Sequence, residues 1–116
     1  RSKFKPPMHL ELDFLLKEFL DWYNKEKKKL HPVELTALVH LKFVTIHPFT
    51  DGNGRISRLM MNFILKKHKF PLLDIPYTKR DSYYNALERS QVNRENNIFV
   101  QWFFRRYLAE HKQYLK

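Results

Sequence analysis

Apolar residues recur at helical spacing through most of this chain. Leu12, Leu15, Leu16, Phe19, Trp22 and Tyr23 predict a first helix over about residues 8–27. Its acids Glu11 and Asp13 stand early and its lysines late, as the helix dipole prefers. A second helix starts at His31-Pro32, with proline in the first turn, and runs to Ile46. It carries Leu35, Leu38, Val39, Leu41, Phe43, Val44 and Ile46 on several faces, the pattern of a central, buried rod. His40 within it reads either as a satisfied interior residue or as an exposed one. A third helix over about residues 54–69 presents Ile56, Leu59, Met60, Phe63 and Ile64 as its apolar face, and Pro71 prevents its continuation. Residues 70–76 (FPLLDIP) read as extended, with Leu72, Leu73 and Ile75 packing over a helix pair. Thr78 reads as the cap of a fourth helix, with Asp81 as a loose capping-box partner, and that helix carries Tyr83, Tyr84 and Leu87. Residues 91–97 (QVNRENN) read as a polar loop before a last helix over about 97–115, with Ile98, Phe99, Trp102, Phe103 and Leu108 on its apolar side. The fold class expected is all-α, a single domain over residues 1–116 with five main helices.

Helices two and three are joined by residues 47–58, HPFTDGNGRISR, and both glycines of the chain, Gly52 and Gly54, lie there. Two glycines so close allow backbone N–H groups to turn inward together beside a helix start. Unpaired N–H donors and the positive end of the dipole make such a start a phosphate site. Arg55 and Arg58 share one face of the first turn and match phosphate oxygens in fork geometry. Asp51 supplies a hard oxygen suited to Mg²⁺ on nucleotide phosphates. His47 can take a proton from a hydroxyl near neutral pH. Taken singly, each of these is ordinary: a turn, a cap, an Asx residue, a solvated arginine pair. Their concentration in twelve residues, all suited to one ligand, favours the chemical reading.

The stretch resembles the signature of the Fic family, H-P-F-x-[D/E]-G-N-G-R-x-x-R. His47, Pro48, Phe49, Asp51, Gly52, Asn53, Gly54, Arg55 and Arg58 meet every fixed position. The similarity extends from LHPVE at Leu30 to SRLMMN ending at Asn62, and is nearest to the branch of the animal endoplasmic-reticulum Fic enzyme. It implies a Fic-type helical bundle with the active loop between two central helices. It implies AMP transfer from ATP to a Ser, Thr or Tyr hydroxyl of a target protein, with release of pyrophosphate. His47 would be the general base. Asp51 would hold Mg²⁺ (or Mn²⁺). The N–H groups of Gly52, Asn53, Gly54 and Arg55 would cradle the phosphates, with Asn53 helping through its side chain, and Arg55 would neutralise the terminal one. Tyr84 corresponds to a residue lining the nucleoside pocket, where an aromatic wall suits adenine, and Gln91 to an Asn near the adenine. Residues 1–5 correspond to the second half of a β-hairpin flap that pairs with the target backbone. Members of the family often form homodimers. Many carry an inhibitory [S/T]-x-x-x-E-[G/N] helix whose Glu meets the second arginine, here Arg58. The nearest run, QVNREN over residues 91–96, has Gln in place of Ser or Thr, so a core without self-restraint is expected.

Composition narrows the alternatives. The 116 residues suit one domain that buries an adequate core without cross-links. The absence of cysteine removes thiol and disulfide chemistry. With neither a signal segment nor a long apolar run, a cytoplasmic setting is expected. The start at Arg1 without methionine suggests a fragment or processed product lacking the first flap strand and any inhibitory helix. The net charge of +10 raises a nucleic-acid-binding module as a rival. The basic residues fall in separate clusters, KEKKK at 25–29, KKHK at 66–69 and Arg105-Arg106, so nucleic acid is disfavoured. Two further rivals share the loop: removal of AMP or another phosphate-group transfer, and nucleotide binding without catalysis. The last gives His47 nothing to do.

Overall fold

A computed structural model describes residues 11–49 and 51–112. Its helices are α1 (Leu12–Glu26), α2 (Pro32–Ile46), α3 (Asn53–Lys67), α4 (Arg80–Asn93) and α5 (Asn96–Glu110), with a 3₁₀ turn at Tyr77–Lys79 before α4. No strand occurs among the described residues, and the all-α expectation with five helices is met. The expected flap strand at 1–5 and the expected helix ends at 8–10 and 113–115 lie outside the described residues.

The molecule is assembled on α2. Val33, Leu35, Thr36, Ala37, Val39, His40, Leu41, Phe43 and Ile46 are all buried, so this helix is covered on every side. Leu35, Val39, Phe43 and Ile46 meet Phe19 of α1 and Ile64 of α3 in one apolar cluster. Ala37 and Leu41 enter a second cluster with Met61, Leu65, Tyr83, Leu87, Phe99 and Phe103 from α3, α4 and α5. Burying each such side chain stabilises by about 1.5–3 kcal/mol, so α2 is held far more firmly than its own propensity requires. Its start is fixed by His31, whose Nδ1 accepts from the Val33 N–H at 3.1 Å, and by Pro32 at the first helical position.

Several details depart from the hydrophobic pattern. On α3 the buried side chains are Asn53, Ser57, Met61, Ile64 and Leu65, while Leu59 and Phe63 are 67% and 65% exposed. Apolar identity alone rotated the predicted face; a serine and an asparagine occupy the inner stripe instead. Leu108 is likewise turned to solvent, and α5 packs through Phe99, Val100, Phe103 and Tyr107. In the 70–76 segment Leu73 is buried, pinned by its N–H to Asn62 Oδ1 at 3.0 Å, whereas Leu72 faces out. Thr78 lies within the 3₁₀ turn, and Lys79 occupies the cap position of α4 with no side-chain cap bond. The polar run 91–97 is no loop: α4 continues through Gln91 to Asn93. Arg94 ends it in a left-handed conformation, φ 52°, with the Glu95 N–H returning to Ser90 O. Ser90 then accepts from the Phe99 N–H at 2.8 Å, which locks α5 to α4.

Candidate functional site

The chain leaves α2 through His47, whose φ of 55° and ψ of 58° put it in the left-handed region. Its N–H still closes the last helical bond, to Phe43 O at 3.0 Å, while its side chain is exposed. That reversal throws the imidazole off the end of a buried rod and into solvent. The chain re-enters helix through Gly52, also left-handed at φ 82°, where an L side chain would be strained.

Asn53, the first residue of α3, holds the connection together. Its Oδ1 accepts from the Phe49 N–H at 3.0 Å and its Nδ2 donates to Phe49 O at 2.6 Å. The same Nδ2 lies 3.4 Å from both ring nitrogens of His47, so the amide sits against the imidazole rather than aiming at one nitrogen. Asn53 is buried, and its side chain serves the loop itself. The imidazole is thereby fixed beside the first turn of α3.

That turn is open. The first bond of the helix is Ile56 N–H to Gly52 O at 3.0 Å, so the N–H groups of Asn53, Gly54 and Arg55 precede any intrahelical acceptor. Glycine at the cap position puts no side-chain oxygen in competition for them. Arg55 and Arg58 are both exposed, and Arg58 Nη1 lies 3.3 Å from where a Cβ on Gly54 would stand. The guanidinium of Arg58 is thus folded back over the start of its own helix, toward the same donors. Asp51 is exposed on the loop between His47 and this turn. Among the described residues no three His, Cys, Asp or Glu side chains could hold a metal together. A lone exposed carboxylate fits Mg²⁺ taken up with phosphate oxygens, the usual way this ion is bound, and does not form a cage of its own.

Tyr84 joins this region. With Arg58, Asp74, Ile75, Tyr77, Arg80 and Tyr83 it lines a recess of about 260 Å³. Its ring meets Tyr83 edge-on at 5.0 Å between centroids. Gln91, two turns further along α4, lines a different recess of about 530 Å³ with residues of α1 and α2. Its Nε2 donates to Thr45 Oγ1 at 3.1 Å, so Tyr84 and Gln91 are not brought into one cavity.

Beneath the loop is a feature the pattern of residues left open. His40 is fully buried, stacked on Phe99 with centroids 5.6 Å apart, and its Nε2 lies 2.5 Å from Tyr83 Oη. Burial pushes its pKa down from 6.5 to about 4; the Ser57 backbone opposes the shift and the Arg58 charge adds to it. Nδ1 makes no hydrogen bond of good geometry. Burial also raises the Tyr83 hydroxyl above the ordinary tyrosine range. A neutral, buried pair therefore ties α2 to α4 directly under Arg58. Its sequence signal is a histidine at the centre of a largely apolar helix, seven residues before His47.

The Fic/DOC family model matches residues 1–65, more than half of the chain. The chain belongs to the Fic/DOC family. Over 84 residues this Fic chain is 48% identical to a protein adenylyltransferase Fic of Drosophila willistoni, covering 72% of the chain and 17% of that relative. It is 45% identical over 90 residues to the protein of the same name from Nematostella vectensis, covering 77% and 21%. The chain thus spans about a fifth of the length of these curated relatives. A Fic domain containing signaling protein from Bacteroides thetaiotaomicron superposes with TM-score 0.79 at 33% identity, over 91% of this chain and 46% of that one. Fic-1 from C. elegans superposes with TM-score 0.77 at 33% identity, over 99% and 35%. No helix among the described residues is long and apolar enough to cross a membrane.

Proposed function

We propose that this Fic chain is a protein adenylyltransferase core that moves AMP from ATP to a Ser, Thr or Tyr hydroxyl of a target protein. The observation that carries the reading is the exposed His47 imidazole, held through Asn53 at the open N-terminus of α3. One group there can remove a proton and an adjacent group can hold phosphate. The names of the relatives, protein adenylyltransferase, support the same chemistry.

His47 takes the proton of the target hydroxyl as its oxygen attacks the α-phosphorus. A new O–P bond forms, the bond from the α-phosphorus to the bridging oxygen breaks, and pyrophosphate leaves with those electrons. The N–H groups of Asn53, Gly54 and Arg55 face the charge that develops, with Gly52 shaping the turn that exposes them. Arg55 and Arg58 neutralise the phosphate tail. Asp51 is the residue that would hold Mg²⁺ or Mn²⁺, which when bound spreads the phosphate charge. Asn53 positions His47 rather than touching phosphate. Gln91 meets the nucleoside once it releases Thr45, and Tyr84, two turns earlier on α4, borders the path of the nucleotide toward its phosphate tail. Docking of the target on a flap at residues 1–5, pairing of two copies and a cytoplasmic setting belong to this reading.

Incubation with ATP labelled at the α-phosphate, Mg²⁺ and a cell lysate should label a protein band, and label at the γ-phosphate should not transfer. His47→Ala should abolish the band. Transfer of γ-label, or release of AMP from a pre-modified target without forward labelling, would move the reaction to one of the rival phosphate chemistries. An unaltered rate in His47→Ala would leave only nucleotide binding.

A further inference from the structure

Arg80 opens α4 and is exposed, yet it is not loose. Its guanidinium lies over the Tyr77 ring at 5.0 Å and over the Tyr84 ring at 5.9 Å. Residues 77, 80 and 84 are three and four apart, the spacing that brings side chains together along a helical face. A hydrogen bond to the Tyr84 side chain raises the Arg80 pKa further above its ordinary value. A guanidinium carries five N–H donors, so the contact with Tyr84 leaves others for the oxygens of a ligand.

The recess this arginine lines is shared with Arg58, which reaches it from α3. Neither arginine has an ion-pair partner among the described residues; the pairs formed are Lys17–Asp21 and Arg106–Glu110. One carboxylate, Asp74, lines the same recess against the two cations. Two guanidiniums from different helices against one lining carboxylate leave the recess net positive and rich in donors for an anion. At about 260 Å³ the recess is smaller than sites that enclose whole small-molecule ligands, roughly 300–1,000 Å³, so it receives part of a nucleotide.

We propose that Arg80 is a second phosphate-binding residue, which with Arg58 receives the pyrophosphate end of the nucleotide in the recess walled by Tyr77, Tyr83 and Tyr84. This rests on the transfer reading above and deepens it, because it assigns the leaving group a seat of its own. It also sets a direction: the tail lies toward the start of α4, and the nucleoside lies toward Gln91. Tyr77 and Tyr84 act as splints that hold the Arg80 fork.

The test is calorimetric binding of inorganic pyrophosphate and, separately, of AMP to the whole chain and its variants. Arg80→Gln should weaken pyrophosphate about tenfold, the scale of an exposed charge-assisted hydrogen bond, and leave AMP within twofold. Arg80→Lys, which keeps charge but not the fork or the stacking, should fall between. In turnover, Arg80→Gln should raise KM for ATP and relieve inhibition by added pyrophosphate. Three results overturn the proposal: a wild-type protein that does not bind pyrophosphate, an Arg80→Gln variant with unchanged pyrophosphate affinity, or one that loses AMP in equal proportion. A protein that binds pyrophosphate through Arg80 yet transfers no AMP would sink the transfer reading and keep this one. Active protein whose Arg80→Gln variant keeps its pyrophosphate affinity would do the reverse.

Discussion

Asn53 and Phe49 exchange two hydrogen bonds across the bend between α2 and α3: the side-chain amide of one answers the backbone N–H and C=O of the other. This closes the loop as a short ring and brings the Asn53 amide against His47. Asn53→Ala removes both bonds and leaves two backbone groups of Phe49 unanswered. The variant should lose about 1–3 kcal/mol of stability in chemical denaturation. Its AMP transfer should fall by about 10²-fold, because a base displaced by about 1 Å no longer meets its proton. Asn53→Asp keeps the acceptor for the Phe49 N–H but sets a carboxylate against Phe49 O. It should therefore be no better than alanine in either assay.

The two glycines of the loop should respond oppositely to alanine. Gly52 has open space around its missing side chain but sits at φ 82°, so Gly52→Ala should cost about 1 kcal/mol through backbone strain alone. Gly54 is helical, and a Cβ there would crowd Arg58 Nη1 at 3.3 Å. Gly54→Ala should gain up to about 1 kcal/mol from helix propensity while pushing Arg58 off the first turn. Thermal melts together with KM for ATP would separate the two: a lower melting temperature for the first, a raised KM without loss of stability for the second.

His47 combines function with a left-handed backbone, and the two can be parted. His47→Asn and His47→Gly tolerate a positive φ and should melt near the wild type. His47→Val adds a β-branched side chain at φ 55° and should melt lower. All three should lose transfer by at least about 10²-fold if the imidazole is the base. A stable His47→Gly variant with retained activity would remove the base from the mechanism.

His40 predicts how stability depends on pH. Its pKa is about 4 in the folded protein against 6.5 when exposed. Between those values the unfolded chain binds the extra proton, so folding weakens as pH falls from about 6.5 to about 4. The full contribution, on the order of 3 kcal/mol, is present above that window and lost below it. Denaturant midpoints at pH 7 and pH 4.5 should differ accordingly. His40→Phe should flatten the dependence and, with Tyr83→Phe, leave no buried hydroxyl without a partner.

Much of this was legible because helical periodicity and glycine placement are local properties. The bounds of α2, the start of α3 within a residue, and the convergence of His47 and the first turn of α3 follow from residues 31–58. The failures are also physical. Leu59, Phe63 and Leu108 were placed inside because they are apolar, but a helix turns by its whole neighbourhood, and buried Ser57 and Asn53 fixed the rotation of α3. The run at 91–97 looked like a loop because α4 is solvent-washed and polar; its inner residues Tyr83, Ala86, Leu87 and Ser90 carry the true period. Arg80 and Tyr77 carry no sequence signal, because their pairing depends on a 3₁₀ turn that no local composition marks. The His40–Tyr83 bond joins residues 43 positions apart, so His40 is visible in the sequence and its partner is not.

His47, the proposed proton acceptor, is mounted on the element that the other described helices wrap. Loosening an outer helix such as α1 leaves that mounting in place, so partial fraying should spare turnover. On heating, activity should therefore persist at least as long as the native spectroscopic signal, with no inactive yet folded plateau.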